Sequence, residues 1–256
     1  MIDGTPARAR RLLTFVALCL QCAGAAAGSI QINPIRIELS AAQPSATLTL
    51  RNNDPAGSPP AVLQVDSHRW TQADSQTDTL EPAAELKATP PLFTLPPGGE
   101  QIVRIGLPGG VRTSAVETSY RLIVQQVPQQ APSSSAGLQV LLRFSIPVFV
   151  LPADASASGH IEWSLEHDGS ALSLSARNSG SRHLRLDGLE LRQTRDGGVL
   201  PLRFTPRYVL PGALRSWRIE ATDGQTLPAA GERLKLKALA GQTTLEADLT
   251  IGAPAR

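Results

Sequence analysis

The most regular alternation of apolar and polar positions lies in residues 137–152. Every second residue in the first half of this segment is large and apolar, at Leu138, Val140, Leu142 and Phe144. A period of two places successive side chains on opposite faces of a strand, so the pattern predicts a long strand with one apolar face. Such a row either lines the core of its own domain or is presented to a partner.

Similar short alternating segments recur along the whole chain and are separated by clusters of Gly, Pro, Asn and Asp. The 256 residues include 21 Gly and 21 Pro and only 4% aromatic residues, and long helix-period apolar patterns are hard to find. This pattern predicts an all-β protein with two immunoglobulin-like β-sandwich domains in tandem. A break at residues 151–154 divides the chain into predicted domains at 29–152 and 155–256.

The first 27 residues have the features of a signal peptide. Three arginines (Arg8, Arg10 and Arg11) precede an apolar run at 12–20, and three alanines at 25–27 supply a small-residue cleavage pattern. The mature chain is predicted to begin at Gly28 or Ser29 and to have no membrane span, because the apolar run is too short. An uncleaved anchor and a lipoprotein are the alternatives. Both cysteines lie in this leader, so the mature protein is predicted to have no disulfide.

The residues that catalysis or cofactor binding would require do not cluster in the sequence. None of the four histidines (His68, His160, His167 and His183) has a second His or a carboxylate at a convincing metal-ligand spacing. Glycine-rich phosphate loops and nucleophile elbows do not occur. The net charge is +2, and no basic run is interleaved with aromatics. We therefore expect no enzyme activity, no cofactor, no metal and no nucleic-acid partner.

A series of segments in the predicted first domain follows a familiar order, at 33–36, 47–52, 70–72, 88–93, 95–98, 101–105, 117–122 and 146–152. Their order and spacing resemble those of periplasmic pilus-assembly chaperones of the PapD-like, chaperone–usher type. The Ile-Pro-Val-Phe sequence at 146–149 is more similar to the archaic branch, which is associated with spore-coat-protein-U-like pilins. The predicted second domain resembles the family only weakly.

The resemblance implies a function without covalent chemistry. Chaperones of this family lend a strand to pilin subunits, which lack their last strand, and deliver them to an outer-membrane usher. The lending residues here would be Leu138, Val140 and Leu142, with Phe144 as a further candidate. Location in the periplasm is also implied.

The family also holds the subunit's terminal carboxylate with two cations. Arg36 matches the first of these positions, and arginine suits a carboxylate because it bonds bidentately and stays charged. The second position, usually a Lys, holds Pro147 here, so Arg121 and Arg143 are the candidate substitutes. A basic residue that contacts the second domain in some members is Leu151 here, which predicts no interdomain salt bridge at that position.

Other interpretations stay open on the sequence alone. The apolar row would line its own core if nothing around it resembled the family, and Arg36 would be an ordinary surface arginine. The chain as a whole could be a secreted β-sandwich structural or adhesive protein, similar to a fimbrial subunit. Such subunits usually have one domain and a disulfide, and this chain is predicted to have neither feature. An enzyme or carbohydrate-binding module would need clustered aromatics or carboxylates.

Overall fold

A computed structural model describes residues 29–74, 76–112, 114–128, 140–221 and 226–252. Strands and loops make up all of these ranges, which contain no helix, and the predicted all-β fold class is confirmed. Among the same residues no helix is long and apolar enough to cross a membrane, and no three or more His, Cys, Asp or Glu side chains are grouped so that they could hold a metal ion. The predicted signal peptide at 1–27 and the predicted lending residue Leu138 lie outside the described residues.

Ten strands form the first part of the described structure. They are β1 (Ile30–Asn33), β2 (Ile37–Leu39), β3 (Ser45–Asn52), β4 (Ala61–Thr71), β5 (Thr79–Pro82), β6 (Lys87–Thr89), β7 (Leu92–Leu95), β8 (Glu100–Gly106), β9 (Thr118–Gln126) and β10 (Arg143–Val150). One sheet has the order β1-β3-β8-β6 and the other β2-β10-β9-β4-β5, with β7 also paired to β4. Alternate apolar residues of both sheets, such as Leu48, Leu63 and Leu122, are fully buried in one cluster, as expected for a sandwich core.

Eight further strands are described beyond residue 160. They are β11 (Ile161–Asp168), β12 (Ala171–Asn178), β13 (Leu184–Leu186), β14 (Gly188–Gln193), β15 (Arg207–Val209), β16 (Leu214–Ile219), β17 (Arg233–Ala240) and β18 (Thr243–Thr250). They pair as β11-β12-β16, β13-β15 and β14-β17-β18. Their inward-facing residues, including Leu174, Trp217 and Leu236, form a second core cluster. The boundaries at 29–152 and 155–256 stay predictions.

Within the described residues, the strand predicted from Leu138 onward begins at Arg143, and residues 140–142 are not part of it. The antiparallel partner β9 ends at Gln126, whose N–H donates to the carbonyl of Leu142 at 2.9 Å. In the described part of the chain, residues 140 and 141 therefore have no neighbouring strand with which to form a ladder. The alternation of apolar and polar positions is present in the sequence, but a strand also requires a paired neighbour. β9 ends too early to pair with residues 140 and 141.

The two halves of the chain meet through aromatic rings. Trp70 of β4 and Phe149 of β10 belong to the hydrophobic cluster of the second half. Phe149 stacks on the imidazole of His183, with ring centroids 3.6 Å apart and an interplanar angle of 12°. Tyr208 meets Trp70 edge-on at 5.5 Å. Aromatic pairs at these distances add stabilisation beyond the area they bury.

The loop between β4 and β5 adds polar contacts to the same interface. The side-chain amide of Gln72 donates to the carbonyl of Tyr208 at 3.1 Å and accepts the N–H of Leu210 at 2.9 Å. The guanidinium of Arg215, whose side chain is 3% exposed, pairs with the carboxylate of Asp78 and donates to the carbonyl of Thr77. These contacts tie the loop to β15 and β16, so the relative placement of the halves is specified by directional bonds.

Candidate partner-binding edge and interdomain cleft

The first half of β10 has one open edge. All of β10 pairs with β9 on one side, whereas β2 pairs only with Val148–Val150 on the other. Among the described residues, no strand lies beside Arg143–Pro147 on that side. An edge of this kind presents unpaired N–H and C=O groups, which makes it a template for a strand from another chain.

The apolar row leaves the core of its own domain along this segment. Ile146 and Val148 are buried in the first core. Phe144 is half-buried and packs against the same core, which agrees with the own-core interpretation for that residue. Leu142 is half-buried, and Val140 is 67% exposed. The described part of the row is therefore progressively presented to the surface toward its amino-terminal end.

Arg36 lies at a bend just before β2, and its side chain is 52% exposed. Its Nε is 3.4 Å from Oε1 of Glu38, and Oε2 of Glu38 is 3.5 Å from Nη2 of Arg182. Glu38 is thus shared between two guanidinium groups. Such an exposed ion pair contributes little to stability, and Arg36 keeps donors free for a ligand.

The strand register brings Arg36, Pro147 and Arg121 into one row. Pro147 pairs with Arg121 across β10 and β9, and Arg36 immediately precedes the parallel pair Ile37–Val148. Ile37 and Val148 face the core, so the three neighbours face the opposite side, toward the cleft. Because adjacent strands lie about 4.8 Å apart, the backbones of Arg36 and Arg121 are roughly 10 Å apart.

Arg121 is a cation held without a carboxylate partner in the described structure. Its guanidinium carbon lies 3.7 Å from the centroid of the Trp70 ring and 5.6 Å from that of Tyr208. Among the described residues, its guanidinium donates one hydrogen bond, of 3.5 Å, to the carbonyl of Ser145. Burial lowers the pKa of the Arg121 guanidinium, and the charge of Asp78 opposes that effect. Cation–π contact with two rings holds the charge in a fixed place.

Arg143 does not join this row. It pairs with Gln125 and is exposed. It lies four positions before Pro147 along the strand, a distance of roughly 13 Å. The structure therefore brings together two of the three predicted cations, Arg36 and Arg121, and places the third near the beginning of β10.

A buried carboxylate connects the two halves beside the cleft. The side chain of Glu117 is fully buried; it accepts hydrogen bonds from the backbone N–H of His183 at 3.2 Å and from the Nδ1 of that imidazole at 2.8 Å. Its other oxygen lies 3.7 Å from Nε of Arg182. Glu117 and His183 are 66 residues apart in the sequence and no local pattern links them, so this cluster was not predicted from the sequence. Ion pairs between the halves join Arg182 to Glu117 and Glu38, and Arg215 to Asp78. At Leu151, by contrast, the side chain is half-buried and the N–H donates to the carbonyl of Leu39.

A cationic pocket of about 400 Å³ lies between the halves next to Arg121. Its charged lining residues are four arginines and one carboxylate, at Arg121, Arg185, Arg207, Arg215 and Asp78. Two of these arginines are paired, Arg215 with Asp78 and Arg185 with Asp187 at 2.9 Å. Within the described residues, Arg207 makes no ion pair and donates only to the carbonyl of Gln76, at 3.5 Å. The pocket therefore carries an excess of positive charge that a bound anion would neutralise.

Comparison with known proteins identifies relatives of this architecture. Residues 29–156 match the family model described as "Pili and flagellar-assembly chaperone, PapD N-terminal domain". No curated protein matches the sequence. A chain in the CsuC–CsuE chaperone–tip adhesion subunit complex, from archaic chaperone-usher Csu pili of Acinetobacter baumannii, is similar with a TM-score of 0.64 and 20% identity. The match covers 87% of this chain and 99% of that one.

Two further solved structures have the same fold. The E. coli chaperone DraB has a TM-score of 0.56 at 22% identity, covering 87% of this chain and 97% of its own. A chain in the complex of the SafA pilin with the SafB chaperone from Salmonella enterica has a TM-score of 0.57 at 18% identity. That match covers 88% of this chain and 98% of the other. These matches agree with the family model, and the predicted pair of immunoglobulin-like sandwiches is confirmed.

Proposed function

The chain belongs to the family of pili and flagellar-assembly chaperones, and from that premise we propose that it is a periplasmic chaperone that lends a strand to pilus subunits. The observation that carries this proposal is the open edge of β10 at Arg143–Pro147. Next to it lies an apolar row whose side chains become more exposed toward the amino-terminal end. The family match does not favour the alternative of a secreted structural or adhesive β-sandwich protein.

Strand lending needs both a backbone and a side-chain component. The subunit's strand pairs with the open edge of β10, which supplies main-chain hydrogen bonds. Val140 and Leu142, together with Leu138, fill the apolar groove of the subunit. Each such side chain contributes roughly 1.5–3 kcal/mol when it is fully buried. Phe144 supports the strand from its own core and contributes less to the groove.

The end of the open edge supports an anchoring role for the arginine row. Beyond Pro147 the edge of β10 is occupied by β2, so a paired subunit strand must stop there. At that point Arg36 lies on one side of Pro147 and Arg121 on the other. We assign the subunit's terminal carboxylate to these two cations. Arg143 is too far along the strand to join them and receives no anchoring role.

The proposal extends to export and delivery. The features of residues 1–27 support export by a signal peptide, and family membership supports a periplasmic location. Release of the subunit to an outer-membrane usher completes the proposed role, since a lent strand must be exchanged for one from a neighbouring subunit. No step requires a cofactor or metal.

A charge placed in the apolar row tests the proposal. Val140→Asp would bury an unpaired carboxylate in the subunit's groove, which costs several kcal/mol, while the free protein has that side chain 67% exposed. We expect co-expression with exported pilus subunits to yield no complex for Val140→Asp and an unchanged thermal midpoint for the variant alone. Val199→Asp is the matched control, because Val199 is 46% exposed in the second half. A retained complex, or a collapsed midpoint, refutes strand lending by this row.

A further inference from the structure

The cationic pocket beside Arg121 contains more positive charge than a single carboxylate requires. Arg121 and Arg207 are its two guanidinium groups without an ion pair in the described part of the chain, and they come from opposite halves. The proposed anchor uses Arg36 and Arg121 for one carboxylate. Arg207 is then an uncompensated charge on the facing wall of the same pocket.

The backbone of Arg207 is placed by its neighbour in the chain, Tyr208. It begins β15, directly before Tyr208, and Tyr208 packs against Trp70 and Phe149 at 5.5 and 5.6 Å. The guanidinium carbon of Arg185 lies 5.8 Å from the Tyr208 ring centroid on the same wall. The guanidinium of Arg185 already forms an ion pair with Asp187, so Arg207 should bind an anion more strongly than Arg185 does.

We propose that Arg207, supported by Arg185, recognises an acidic side chain of the subunit close to its carboxyl terminus. This inference rests on the proposed function: Arg121 belongs both to the proposed anchor and to this pocket, so a subunit strand that ends at Pro147 places its last residues beside the pocket. A pocket of about 400 Å³ accommodates an acidic side chain. The second half of the chaperone thereby selects among subunits according to the charge near their carboxyl end.

The test compares dissociation constants of the complex formed with a pilus subunit that the wild-type protein retains in co-expression. We expect Arg207→Gln to weaken the complex roughly tenfold and to reduce its salt dependence. Arg207→Lys should retain part of the affinity, since the charge remains. The matched control is Arg203→Gln, which changes an exposed arginine of the same half and should bind as the wild type does. The free Arg207→Gln protein should keep its thermal midpoint, because it loses only one long hydrogen bond.

A charge exchange identifies the acidic group directly. In this experiment each Asp or Glu in the last ten or so residues of the subunit is changed to Lys, one at a time. One of these subunit variants should bind the wild-type chaperone poorly but bind the Arg207→Glu chaperone well. If Arg207→Gln binds as tightly as the wild type while Arg36→Ala and Val140→Asp bind poorly, this inference is wrong and the proposed function stands. If Arg207→Gln still weakens binding by the same factor after every acidic residue near the subunit's carboxyl end has been replaced, the pocket acts only through its overall positive potential. The inference is then likewise wrong. Unchanged binding in Arg36→Ala and Val140→Asp would instead overturn the proposed function.

Discussion

Replacing Glu117 by Ala should loosen the contact between the two halves of the protein. The carboxylate is fully buried and accepts hydrogen bonds from both the backbone N–H and the Nδ1 of His183. His183 in turn stacks on Phe149 at 3.6 Å. Glu117 and Phe149 belong to the first half and His183 to the second, so the substitution removes a bonded group from the middle of the interface.

The expected cost follows from what the missing carboxylate leaves behind. A buried N–H and an imidazole Nδ1 lose their acceptor, whereas the partly exposed guanidinium of Arg182 keeps Glu38 as a partner. A buried donor left unsatisfied costs about 1–3 kcal/mol, so two such donors cost about 2–6 kcal/mol. For a chain of this size each kcal/mol lowers the thermal midpoint by about 2–4 °C, so a decrease of roughly 4–24 °C is expected. Glu117→Gln keeps the shape and one acceptor oxygen, and should cost about 1–3 kcal/mol.

Scanning calorimetry of the free protein measures this effect. We expect Glu117→Ala to lower the midpoint and to broaden or split the transition, because the halves no longer unfold together. Glu246→Ala is the control, since Glu246 is an exposed carboxylate on β18 without an ion pair in the described structure. A midpoint for Glu117→Ala equal to that of the control would refute the view that this carboxylate couples the halves.

Three further outcomes are expected. Arg36→Ala should fold with an unchanged midpoint but lose about 2–5 kcal/mol of subunit binding, as for a buried charge pair that loses one partner; equal recovery of subunit in co-purification would contradict the anchor. The pKa of Asp74 is lowered from 3.8 to about 2, chiefly by the hydrogen bond from the Thr77 side chain, so its contribution to stability is complete above about pH 4 and is lost as the pH falls toward 2. The difference in urea midpoint between wild type and Asp74→Asn should therefore shrink over that window, and a difference independent of pH would speak against it. Amino-terminal sequencing of the exported protein should begin at Gly28 or Ser29, whereas a full-length, membrane-retained product would exclude cleavage there.

Local pattern was sufficient to predict the fold class. The alternation in strands such as β3 and β12 places Leu48, Leu50, Leu172 and Leu174 in the two cores, because side-chain direction in a strand depends only on parity. The apolar row at 138–144 was visible for the same reason. The predicted strand included residues 140–142, which are not part of β10, because pairing depends on where β9 ends, and that is a property of another segment.

The cleft required information that no local pattern contains. Arg121 becomes a neighbour of Arg36 only through the register of three strands, β2, β10 and β9. Arg207, which lines the cationic pocket together with Arg121, follows Arg121 by more than 80 residues in the sequence. Candidate cations could be named from the sequence, but the choice between Arg121 and Arg143 depended on which of them shares a row with Pro147.

The proposed use of Arg121 on β9 as the second cation, in place of a residue on β10, has a physical consequence for binding. A lysine at position 147 would have a long, freely rotating side chain that must be ordered when a carboxylate binds, at a cost of about 0.5–1.5 kcal/mol. Arg121 is already held against Trp70 and Tyr208 in the free protein. Its strand is paired on both sides, with β10 and β4, so neither backbone nor side chain must be ordered further. Pro147 fits the vacated position because proline is tolerated where a strand has an open edge. The cleft therefore combines a preformed cation on β9 with a free strand edge on β10, and each is available to the same incoming chain end.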